Sequence, residues 1–78
     1  MTTHHQEFMK KIDAGIAPNI YVMQPEGKEF FRLYDGNSQH CGNHNHHACI
    51  ASKLSETAAN AAVVLSKQDP SAFADTYL

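Results

Sequence analysis

Pro25-Glu26-Gly27 separates two runs that both read as strands, and this stretch constrains the fold more than any other. Before it, Asn19 to Gln24 (NIYVMQ) is β-branched and aromatic and is bounded by Pro18 and Pro25; after it, Lys28 to Tyr34 (KEFFRLY) has the same character. Proline presets φ at the first corner of a turn and glycine takes the left-handed position, so the three residues predict a hairpin. Alternation along the second strand sends Phe31 and Leu33 to one face and Phe30, Arg32 and Tyr34 to the other. Aromatics on both faces mean that both need cover.

Upstream, Thr3-His4-His5-Gln6 has the form of a capping box, in which Thr3 caps a free amide and Gln6 reaches back. Phe8, Met9, Ile12 and Ile16 follow at helical spacing, while Glu7, Lys10, Lys11 and Asp13 form the wet face. Gly15 suits the position just past a helix end and Pro18 blocks resumption, so a helix is expected over residues 3–14.

Downstream, Asp35-Gly36-Asn37-Ser38 is expected to be a loop. It leads into His40 to Cys49 (HCGNHNHHAC), which holds four of the six histidines and both cysteines. Asn43 or Asn45 can cap a second helix, on which His47, Ile50, Ala51, Leu54 and Ala58 fall on one stripe and Cys49 lies off it. Alanine tolerates a continuous helix to Lys67. The β-branched pair Val63-Val64 instead favours a helix end near Ala59-Asn60, followed by a strand over residues 62–65. A right-handed crossover then sets this strand parallel to the second and beside the first, giving strand order 3-1-2. Asp69-Pro70 is a cap followed by a first-turn proline, predicting a short helix from Ser71 to Thr76. The expected architecture is α+β, a single compact domain over residues 1–78 with element order α-β-β-α-β(-α) and helices packed on a three-stranded sheet.

A chain of 78 residues has room for one modest core, and stabilisation by a metal, a partner or a second copy is in keeping with that size. The formal charge is −2 and the six basic residues are scattered, so there is no stripe to release counterions from a nucleic-acid backbone. Autonomous nucleic-acid binding is therefore not expected. No apolar run approaches a membrane span, and Met1 is not followed by a basic segment and a hydrophobic stretch. A cytoplasmic location with reduced thiols is expected. His4 and His5 are open to reading as a tag remnant; the internal histidines are not.

The histidine–cysteine cluster has three readings. Thiolate and imidazole are preferred zinc ligands, and Cys41, His46 and Cys49 with His44, or else His40, as the fourth ligand would complete a tetrahedral set if His46 and Cys49 project together from a helix. The spacing matches no standard finger or ribbon, and all four ligands are local. The plainer reading is that histidine and asparagine satisfy a helix start and a polar loop. Thiol catalysis needs an activated thiolate, a base and an orienting group inside a cleft, and so short a chain offers little wall for one. No enzymatic activity is expected, and no cofactor unless it is zinc.

The other candidate site is the sheet face carrying Tyr21, Met23, Phe30, Arg32 and Tyr34, because aromatics beside an arginine are enriched at interface hot spots. The competing expectation is that the first helix lies on this face, with Phe8 and Ile12 meeting the aromatics. In size and element order the chain is similar to small phage-encoded inhibitors, the anti-CRISPR proteins among them. That likeness implies action by docking on a partner protein. The expected contact residues are Tyr21, Phe30, Arg32, Tyr34, His40, His44 and His46. Histidines packed at an interface would make association change between about pH 7 and 5.5. An edge strand and an off-core cysteine are also compatible with a homodimer.

Overall fold

The helical spacing of Phe8, Met9 and Ile12 is realised in α1, Thr3–Asp13. A computed structural model describes residues 3–40 and 43–78, with side chains over residues 3–38 and 48–78. The end of α1 is closed by crossed bonds: Gly15 donates its N–H to the Ile12 carbonyl and Ile16 donates to Lys11, each at 3.0 Å. This closure needs a left-handed residue, and Gly15 supplies it at φ +86°.

β1, Ile20–Met23, pairs antiparallel with β2, Phe31–His40, with Tyr21 opposite Tyr34 and Met23 opposite Arg32. In the turn between them Lys28 donates its N–H to the Pro25 carbonyl at 3.1 Å, and Gly27 takes the left-handed corner at φ +76°. Pro25 thus provides the acceptor, and the first corner falls to Glu26. Residues 24–30 make a longer connection than a tight hairpin.

The expected loop at residues 35–38 is absorbed into β2. Asp35 faces Ala48 but Gln39 faces His47, so Gly36, Asn37 and Ser38 are extra residues on β2 and bulge out of the ladder. The loop-forming chemistry of the four residues is real, but it bends a strand rather than ending one.

The histidine-rich segment is a strand as well. β3, Asn43–Leu54, pairs antiparallel with β2, so the sheet order is β1-β2-β3 and not 3-1-2. Histidine, asparagine, cysteine and isoleucine are all mediocre helix formers, and a neighbouring strand edge can recruit them. The second helix, α2, runs from Glu56 to Gln68 and takes in residues 62–65, where a strand was expected. Ser55 caps it, its hydroxyl accepting from the Ala58 N–H at 3.1 Å. Alanines at 58, 59, 61 and 62 outweigh Val63-Val64. With every strand antiparallel, no crossover is required.

α3, Pro70–Tyr77, follows after a single residue, as Asp69-Pro70 predicts. Asp69 closes α2 by donating its N–H to the Leu65 carbonyl at 2.8 Å, and it opens α3 by accepting from the Ala72 N–H at 3.2 Å.

Phe8, Ile20, Leu33, Ala59, Ala62, Phe73 and Ala74 form one buried cluster. The Phe8 ring lies 5.6 Å from Phe73, and Phe73 lies 5.1 Å from Tyr77. All three helices contribute to this cluster, so they lie on the face of the sheet that carries Ile20 and Leu33. The expectation that α1 covers the tyrosine face is therefore wrong: Phe8 is in the core and Ile12 packs against it. No helix among the described residues is long and apolar enough to cross a membrane.

Candidate functional site

Period-two alternation fixes what the opposite face presents. Ile20, Val22, Phe31 and Leu33 turn towards the helices, leaving Tyr21, Met23, Arg32 and Tyr34 on the other side. Tyr21 and Tyr34 are register partners, and their rings stack with centroids 5.5 Å apart and planes 16° from parallel. Just before β2, Phe30 turns back so that the Arg32 guanidinium carbon lies 5.5 Å from its ring centroid, a cation–π arrangement. Met23, opposite Arg32, is 46% exposed. Four of the seven expected contact residues thus form two ring-based pairs, Tyr21 with Tyr34 across the strands and Arg32 with Phe30 at the start of β2. The side chains of the other three, His40, His44 and His46, lie outside the described residues.

The same holds for most of the expected zinc set: Cys41 and the side chains of His44 and His46 lie outside the described residues. Cys49 is described. It sits on β3 opposite Tyr34 as an exposed free thiol, 3.6 Å from the Ala51 carbonyl oxygen. The helical adjacency that paired His46 with Cys49 does not exist, because both residues belong to β3. Among the described residues no group of three or more histidine, cysteine or acidic side chains is placed to hold a metal.

A second polar centre arises where the sequence shows only a helix start and a loop. Asp35 is 2% exposed, on the core face of β2. One of its carboxylate oxygens lies 3.0 Å from His4 Nε2, and the other accepts the Asn37 N–H at 2.9 Å. Ser38 Oγ reaches the same His4 nitrogen at 3.2 Å. A serine, a histidine and an aspartate thus meet, but not as a proton relay. A relay uses the two ring nitrogens separately, one for the hydroxyl and one for the carboxylate. Here both partners share Nε2, so the arrangement acts as a clamp that ties α1 to the β2 bulge.

Further ties surround it. Asn37 Nδ2 donates to the Ala17 carbonyl at 2.9 Å, Gly36 donates its N–H to the Asn19 carbonyl at 2.8 Å, and Lys11 Nζ donates to the Asn37 carbonyl. His5 Nε2 meets Asp75 Oδ1 of α3 at 2.9 Å. His4 and His5 are therefore tied into the fold, each through a carboxylate. A signal for His5 was present in the sequence: with Phe8 and Ile12 it falls on the apolar stripe of α1.

Compared with known proteins, the chain matches no family model, no curated protein and no solved structure.

Proposed function

We propose that the protein is a small binding or inhibitor module that docks on a partner protein through the tyrosine-bearing face of its sheet. The observation that carries this reading is the pairing of Tyr21 with Tyr34 beside Arg32 over Phe30, on the side of the sheet away from all three helices. Tyrosine and arginine are enriched at interface hot spots because each joins a wide apolar contact area to a polar end. Stacking also holds each ring in place before contact, which lowers the ordering cost of association. A chain of this size acts most readily by occupying another protein's surface.

The test is capture from host lysate at low salt, run in parallel with wild-type protein, an Arg32→Ala/Tyr34→Ala double variant and a Val64→Ser control. Val64 lies on α2 and is 50% exposed, away from the proposed face. The expected result is a stoichiometric partner held by wild type and control but lost by the double variant while its circular dichroism is unchanged. No stoichiometric partner, or one that the double variant retains, would remove the proposal.

A further inference from the structure

We draw no further inference here: the strongest candidate, the cavity of about 220 Å³ lined by His4, Cys49, Ile50, Tyr77 and Leu78, offers a lone exposed thiol with nothing in the structure that points to a ligand.

Discussion

The ring of Tyr21 lies over that of Tyr34 at 5.5 Å, strand to strand, on the sheet face that the helices leave open. A cross-strand aromatic pair of this kind contributes roughly 0.5–1 kcal/mol to the sheet, well below what a buried core aromatic contributes. Tyr34→Ala should accordingly cost the fold about 1 kcal/mol or less. It should weaken partner binding at least about tenfold, the loss expected of a central contact residue. Thermal unfolding reads the first effect and titration against the captured partner the second. Tyr34→Phe, which keeps the stack, should stay near wild type in stability. Equal binding by wild type and Tyr34→Ala would show that this face is not the contact surface.

The clamp at Asp35 predicts a difference between two substitutions. Asp35→Ala leaves the Asn37 N–H without its acceptor and His4 Nε2 with Ser38 alone, which should cost about 2 kcal/mol, in the range for a buried polar group losing its partner. Asp35→Asn keeps the shape, an acceptor for Asn37 and a donor that a neutral imidazole can accept, so it should lose clearly less. Urea unfolding of both variants decides the matter; equal losses would mean that charge, not hydrogen-bond geometry, holds α1 to the bulge.

At Asp69 one residue serves the junction of two helices, its backbone N–H closing α2 and its side chain capping α3. Asp69→Ala removes the acceptor for the Ala72 N–H and should cost about 1 kcal/mol, the ordinary value for a lost N-cap. Asp69→Ser should recover most of it. The loss should appear as a lower denaturation midpoint with an unchanged slope.

Metal content separates docking from the zinc reading of Cys41, His44, His46 and Cys49. Protein purified without a histidine tag and passed through gel filtration should carry less than about a tenth of an equivalent of zinc, since a structural site holds its metal through such a step. One retained equivalent would transfer residues 40–49 from a contact surface to a metal centre.

The first hairpin, α1 and α3 were legible in the sequence because their signals are local. Gly27 sits at a left-handed corner, Gly15 at a helix end and Asp69-Pro70 at a helix start, and each specifies its backbone with few competitors. The middle of the chain is not legible in the same way because its structure is decided at a distance. Residues 43–54 have no strong preference of their own, and β2 selects the extended form by pairing with them. The helix signal there, Ser55 before Glu56 and a run of alanines, prevails over the two valines because alanine is the stronger determinant. The outward placement of Tyr21, Arg32 and Tyr34 followed from alternation alone. That α1 leaves them uncovered did not, because Phe8 fits either face until Phe73 is in place.

β3 forms one border of the sheet, and it does not run straight. The two steps along β2 from Phe31 to Leu33 are matched by three along β3, and the next single step by two. Lys53 sits in the first of these slips at φ +59°, a left-handed conformation that a lysine seldom adopts. A newcomer strand would need evenly spaced amide and carbonyl groups along this border, and it meets kinks and a charge instead. Along this border, therefore, the backbone is poorly shaped to accept a further strand.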